Sequence, residues 1–242
     1  MLTATSLSKR FPNGVAALDD LSFALNAGDF VSLLGPSGCG KSTALRLIAG
    51  LLPPDSGTIT WNDNKPDIGF VFQEPTLMPW ADALTNVRLP LDLKHVPRAQ
   101  ANEASRAALA RVGLGDFAGA LPRELSGGMK MRVSIARALV ASPRLLLLDE
   151  PFAALDEITR NQLNDDLLRL AREEKLTVLF VTHSVAESCY LSQRVLVMTP
   201  RPGRITADIA LPPQDTRAPG FRHAPQFLEC QRQVSHALGS AT

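Results

Sequence analysis

Apolar residues near the start of the chain fall at strand spacing. Leu2–Ser8 and Leu21–Leu25 alternate or cluster their apolar side chains on either side of an Asn13-Gly14 turn, which predicts a pair of antiparallel strands. Asp29–Leu34 is a short apolar run that stops at a glycine-rich segment, after which Lys41–Leu52 takes up a helical period. Pro53-Pro54-Asp55-Ser56-Gly57 breaks that helix and leads into strand candidates Thr58–Trp61 and Ile68–Phe72. From Glu74 to about Leu125 the period becomes helical, most clearly in the alanine-rich Arg98–Val112, and this stretch reads as an inserted helical subdomain. Strand–helix alternation then resumes: helix Gly128–Val140, strand Leu145–Asp149, helix Glu157–Glu173, strands Thr177–Thr182 and Arg194–Thr199. In Glu157–Glu173, Ile158, Leu163, Leu167 and Leu170 are expected on one buried face, with Asp156 as the cap. Fully apolar strands separated by helices imply a parallel sheet with helices on its faces, an α/β fold.

Composition narrows the reading. Hydrophobic residues make up 45% of 242 and charged residues 20%, the proportions of a globular protein with a core. Basic side chains number 25 and acidic ones 24, so no basic face for nucleic acid is expected, and no nucleic-acid partner. No run approaches the roughly 18 apolar residues of a membrane span, and MLTATSLSKRF has no apolar stretch of a secretory leader. Cys39, Cys189 and Cys230 are odd in number and lack C-x-x-C spacing, which fits a reducing cytoplasm better than disulfides or zinc.

Two segments carry chemistry. Gly35-Pro36-Ser37-Gly38-Cys39-Gly40-Lys41-Ser42 matches G-x-x-x-x-G-K-[ST] between a predicted strand and a predicted helix, with Thr43 next in line. Glycines let successive N–H groups turn onto phosphate oxygens, and the helix N-terminus adds its dipole. Lys41 is expected to reach the outer phosphates and Ser42 to offer its hydroxyl to Mg²⁺, while modification of the Cys39 thiol within the loop is expected to block nucleotide. Leu145-Leu146-Leu147-Leu148 delivers Asp149 and Glu150 at a strand end, Asp149 to hold Mg²⁺ through water and Glu150 to orient or deprotonate the attacking water. An adjacent glutamate favours hydrolysis of a nucleoside triphosphate over transfer.

Leu125-Ser126-Gly127-Gly128-Met129 opens an apolar helix and reads equally as an N-cap or as a second anion-binding helix start. Its place some 20 residues before Asp149-Glu150 completes an order of motifs: phosphate loop, Gln73 after a strand, LSGGM, LLLLDE, Ala154-Leu155-Asp156, and His183 closing a strand. That order resembles the nucleotide-binding subunit of ATP-binding cassette (ABC) transporters over 2–211. The resemblance implies a P-loop ABC ATPase fold with a RecA-like parallel-sheet core, an N-terminal antiparallel β subdomain and an inserted helical subdomain at about 74–125. Residues 212–242 would form a short tail with one amphipathic helix, on which Phe227, Cys230, Val234 and Leu238 share a face.

The resemblance also implies two ATPs with Mg²⁺, sandwiched in a head-to-tail dimer between one chain's Lys41 loop and Ser126, Gly127 and Gly128 of the other. Gln73 would meet Mg²⁺ and link the sheet to the helical insert, His183 would contact the terminal phosphate, and Asp156 would communicate across the dimer. Phe11 stands where the family stacks an aromatic ring on adenine. The signature departs from the family at Met129 and at Met131, where glutamine is frequent. Phe72-Gln-Glu-Pro-Thr-Leu-Met-Pro-Trp80, 151–160 and Arg201-Pro-Gly-Arg204 resemble the nitrate/sulfonate/taurine importer group. Leu77, Met78 and Trp80 are candidates for a groove that takes a permease helix. The implied partners are a second copy, integral membrane permease subunits and an extracytoplasmic solute-binding protein, with the chain peripheral on the cytoplasmic face of the inner membrane. The rival is a soluble ABC ATPase of DNA repair or translation, whose coiled coils, zinc modules or second cassette this sequence lacks.

Overall fold

The computed structural model of the protein describes residues 1–212 and 220–241. It divides into two compact units, Met1–Lys65 with Thr177–Thr242, and Pro66–Leu176. The loop expected between Pro212 and Gly220 falls, at 213–219, outside the described residues.

In the first unit, β1 (Leu2–Arg10) pairs antiparallel with β2 (Ala16–Leu25) and with β4 (Ser56–Trp61), so that Ala4 lies opposite both Phe23 and Ile59. Leu2, Ala4 and Leu7 are buried, a spacing of two and then three. A register shift between Ala4 and Leu7, with Ser6 at φ +48°, absorbs the extra residue and returns Leu7 to the core side. The unit's second sheet places β3 (Phe30–Leu34) between β7 (Thr177–Thr182) and β8 (Arg194–Met198), parallel to both. All residues of β3 and β7 are buried, as strands covered on both faces require. A strand with no counterpart in the sequence reading, β9 (Ile205–Ala210), returns antiparallel along β8. Helix α1 (Lys41–Ala49) is ended by Gly50 at φ +79°, three residues short of its expected end.

The tail belongs to this unit's core. Helix α7 (Pro225–Ala241) turns Phe227, Cys230 and Val234 onto Val195, Val197 and Ile209, with Leu238 partly buried beside them. Tyr190, Phe221 and Phe227 meet at centroid separations of 5.5–6.4 Å, and the Arg222 guanidinium lies 3.6 Å over the Tyr190 ring. Tyr190 comes from α6 (Val185–Leu191), a short helix that the sequence reading missed.

In the second unit, β5 (Ile68–Val71) runs parallel to β6 (Leu145–Asp149). Leu145–Leu148 are fully buried, at about 2 kcal/mol of hydrophobic transfer each. Helices α2 (Ala83–Leu93), α3 (Arg98–Arg111) and α4 (Gly127–Leu139) pack on one another, and α4 also contacts α5 (Glu157–Glu173). Helix α2 starts at Asp82, whose carboxylate accepts the Thr85 N–H at 2.7 Å, and it carries Pro90 inside, which obscured it in the sequence. Leu163, Leu167 and Leu170 face the core of α5, but Ile158 does not and is 82% exposed. At about 100° per residue, Ile158 stands roughly 120–180° round the helix from those leucines, on the opposite face.

Among the described residues, no helix is long and apolar enough to cross a membrane.

Candidate nucleotide site

The phosphate loop leaves β3 at Gly35, and its geometry is set by backbone contacts. Gly40, the N-cap of α1, lies at φ +112°, and a Cβ there would come within 2.5 Å of the Ala17 carbonyl oxygen. Glycine is therefore the residue that this left-handed, crowded position accepts. It also brings no side-chain cap to α1, in contrast to Asp82, Ser126 and Asp156 at other helix starts. The Lys41 side chain is buried, and its ammonium donates to the carbonyl oxygens of Gly35 at 2.8 Å and Pro36 at 2.9 Å. Ser42 and Thr43 are half-buried in the first turn, while Ser37 and Gly38 are exposed. The Cys39 thiol is turned inward, 1% exposed, toward Gly35.

Register brings further residues to the same edge of each sheet. Leu34 pairs with Thr182, so Gly35 and His183 leave neighbouring parallel strands side by side. Val71 pairs with Leu148 in the second unit, which sets Gln73 level with Glu150 beyond the strand ends. In open α/β sheets this carboxyl edge is where ligands bind. Asp149 is buried at the end of β6, and Glu150 is half-buried at φ +45°, a left-handed conformation that costs a non-glycine residue about 1 kcal/mol or more. Gln73 and His183 are exposed.

The turn after β7 is held by side chains that the sequence reading passed over. The Thr182 hydroxyl donates to the buried Glu187 carboxylate at 2.5 Å and accepts the Ser184 N–H at 2.9 Å. His183 is thus presented from a braced turn. Phe11, half-buried, sits in the β1–β2 turn, where its N–H donates to Val15 and its carbonyl accepts from Gly14. The Asp55 carboxylate pins the approach to that turn by accepting the Lys9 ammonium at 2.7 Å and the Arg10 N–H at 2.6 Å. Those two bonds, the lysine's foremost, hold the Asp55 carboxyl below the usual carboxylate range.

Ser126 caps α4, its hydroxyl accepting the Met129 N–H at 3.2 Å, so the helix begins one residue earlier than expected. Gly127 and Gly128 let α5 approach closely: a Cβ on Gly128 would lie 2.6 Å from Thr159 Cγ2, and one on Gly127 3.5 Å from Leu155. Asp156 caps α5 by accepting the Thr159 N–H at 3.0 Å. The signature and the Asp156 segment therefore form one packed corner within the unit.

Arg137, in the last turn of α4, reaches the segment beyond Gln73. It donates to the Pro75 carbonyl at 2.8 Å, the Thr76 carbonyl at 2.9 Å and the Thr76 hydroxyl at 3.0 Å. Burial lowers its pKa from the ordinary value, against a group that stays charged at any physiological pH. Beside it opens a groove of about 360 Å³, lined among others by Phe70, Phe72, Leu89, Leu93, Lys94 and Arg137. Leu77, Met78 and Trp80, the expected groove residues, do not line it. Asn86, buried in α2, accepts the Met78 N–H and donates to Met78, Ala81 and Asp82 carbonyls, folding that segment onto the helix and leaving Trp80 in solvent.

A glycine loop closing on a helix start, a buried lysine within it and carboxylates at a strand end define a P-loop nucleoside triphosphatase. Comparison with known proteins takes this further. The profile of the ABC transporter family matches residues 18–153. An aliphatic sulfonates import ATP-binding protein of Pseudomonas savastanoi pv. phaseolicola is 48% identical over 94% of this chain and 92% of that protein. A taurine import ATP-binding protein of Rhizobium johnstonii is 42% identical over 96% and 92%. An uncharacterized ABC transporter ATP-binding protein of Methanocaldococcus jannaschii is 44% identical over 98% and 91%. Among solved structures, a dimeric ATP-binding cassette in a post-hydrolysis state with ADP and Pi has a TM-score of 0.77 at 31% identity, covering 88% of this chain and all of that one. The chain belongs to the ABC transporter family: it has the ABC ATPase fold and is an ATP-binding ATPase.

Proposed function

We propose that this chain is the ATP-hydrolysing subunit of an importer for a small anionic solute of the aliphatic sulfonate, taurine or nitrate type. The observation that carries the ATPase core is the Gly35–Ser42 geometry, a helix start with no side-chain cap behind a loop into which a lysine is folded. The importer assignment leans on relatives whose names state taurine and aliphatic sulfonate import. Lys41 exchanges the Gly35 and Pro36 carbonyls for the outer phosphate oxygens, and residues 35–43 cradle the phosphate chain. Phe11 stacks on adenine. Glu150 takes the proton of the attacking water, His183 bonds the terminal phosphate, and Gln73 follows its arrival.

The donors assigned to Mg²⁺ are the Ser42 hydroxyl, the Gln73 amide and the Asp149 carboxylate, an all-oxygen set of the kind this hard cation prefers. Bound there with ATP, Mg²⁺ would neutralise phosphate charge. Two copies meet head to tail, Ser126, Gly127 and Gly128 of each facing the nucleotide of the other and Asp156 lying at the seam. The dimeric state of the relative solved with ADP and Pi supports the pairing of two copies. The groove beside Arg137 receives a helix of an integral membrane permease, which holds the chain peripherally at the cytoplasmic face of the inner membrane. An extracytoplasmic binding protein, not this chain, selects the solute.

The test is purification of the chain from its native membranes in mild detergent, followed by reconstitution of whatever accompanies it. A co-purifying multi-span protein with ATP-dependent uptake of a sulfonate, taurine or nitrate is the expected result. Recovery only from the soluble fraction, alone or with ribosomes or DNA, overturns the importer assignment and leaves a soluble ABC ATPase.

A further inference from the structure

The turn from β8 to β9, residues 199–204, is built against the underside of the phosphate loop. Arg201 donates to the Gly38 carbonyl oxygen twice, from Nε at 3.0 Å and from Nη2 at 2.8 Å. Gly38 lies at φ +75° and Gly40 at φ +112°, alternating with Cys39, the backbone pattern that turns N–H groups into an anion-binding concavity. In a trans peptide the carbonyl and the following N–H point opposite ways. Holding the Gly38 carbonyl therefore sets the direction of the Cys39 N–H, which donates across the turn to Pro36 at 3.3 Å. A guanidinium on the carbonyl side also polarises that peptide, strengthening its N–H as a donor.

The turn that carries Arg201 is itself fixed. Gly203 N–H donates to Ala17 at 2.9 Å, its carbonyl accepts from Asp19 at 3.2 Å, and Arg204 ion-pairs with Asp19. A Cβ on Gly203 would come within 2.3 Å of the Cys39 carbonyl oxygen and 2.4 Å of Met198 Cε, so the two loops are in direct backbone contact. The Thr199 hydroxyl donates to Pro202 and accepts the Arg204 N–H, both at 3.0 Å, closing the turn on itself.

We infer that Arg201 is a positioning residue for nucleotide binding, its two bonds to Gly38 holding the phosphate loop in the conformation that receives the phosphate chain. This rests on the ATP-binding reading of that loop. Arg201 acts on ground-state binding and leaves the chemical step to other groups.

Kd values for MgADP and MgATP, with KM and kcat for hydrolysis, are measured on the full-length wild type, Arg201→Ala and Arg201→Lys. Arg201→Ala is expected to raise Kd and KM about tenfold, the worth of one charge-assisted hydrogen bond, with kcat within about twofold. Arg201→Lys, which restores a charge but not the planar fork, is expected to recover part of the affinity. Wild-type Kd in Arg201→Ala, or a fall in kcat at unchanged Kd, overturns the inference. Should Arg201→Ala not fold, Arg201→Lys decides on the same criteria. Failure of the wild type to bind either nucleotide overturns the ATP-binding reading instead.

Discussion

Glu150 and Arg137 show how differently two residues of one unit can be read from sequence. Glu150 follows four leucines and an aspartate in the chain, so its chemistry is written in adjacent letters. Glu150→Gln keeps the shape and removes the proposed base: phosphate release is expected to fall at least about 100-fold while ATP binding persists. Undiminished turnover would falsify the assigned role. Arg137 bonds residues 61 and 62 positions earlier, and nothing in a helix of mixed polar and apolar residues announces that. Arg137→Ala leaves the Pro75 and Thr76 carbonyls short of donors, at an expected cost of about 2–3 kcal/mol in denaturant unfolding. Arg137→Lys should return only part of it, because a single ammonium does not span both carbonyls in one plane.

Two helix starts, those of α4 and α5, were legible because a cap acts over three residues. Ser126 and Asp156 sit where the sequence puts them, each accepting the N–H three positions on. The Thr159 N–H, and then its hydroxyl, hold the Asp156 carboxyl below its ordinary pKa. A depressed folded-state value means that ionised Asp156 adds stability above the unfolded-state pKa, about 4, and loses it as pH falls through the lower folded value. Asp156→Ala is therefore expected to lower the melting midpoint at pH 7, and the gap from wild type should close as the pH is taken well below that range. The buried face of α5 was legible from Leu163 onward; Ile158 was wrongly grouped with it, because at about 100° per residue it stands roughly 120–180° round the helix from Leu163, Leu167 and Leu170. Ile158→Ser should leave chain stability within about 0.5 kcal/mol, as surface changes do. In the proposed dimer it should weaken ATP-dependent association, read by light scattering of the Glu150→Gln background.

At the scale of the whole molecule, the proposed permease groove offers a way to separate ATP chemistry from what that chemistry drives. Leu93, 71% exposed at the end of α2, lines it and lies outside the assigned nucleotide contacts. Leu93→Glu is expected to leave the ATPase rate of the isolated chain unchanged while abolishing co-purification with a membrane partner and solute uptake. Retained uptake would move the permease contact elsewhere. The tail contributes at this scale too, since Phe227, Cys230 and Val234 complete a core begun by β8 and β9 rather than forming a separate appendage.

What the sequence by itself determined is what short-range chemistry encodes: the phosphate loop, the carboxylate pair, the signature, the helix starts at Ser126 and Asp156 and the buried strands. Each needs only neighbouring residues, because a glycine's left-handed φ, a cap or an apolar run is a local property. Strand register, which sets His183 beside Gly35 and Gln73 level with Glu150, depends on pairs more than 70 residues apart and was decided by tertiary structure. So were β9, whose partner is chosen by the sheet, and α2, whose Pro90 argues locally against the helix that packing against α3 and α4 imposes. The bonds of Arg201 to Gly38, 163 positions apart, belong to the same class: a guanidinium has no periodicity, and only the folded chain shows which carbonyl it holds.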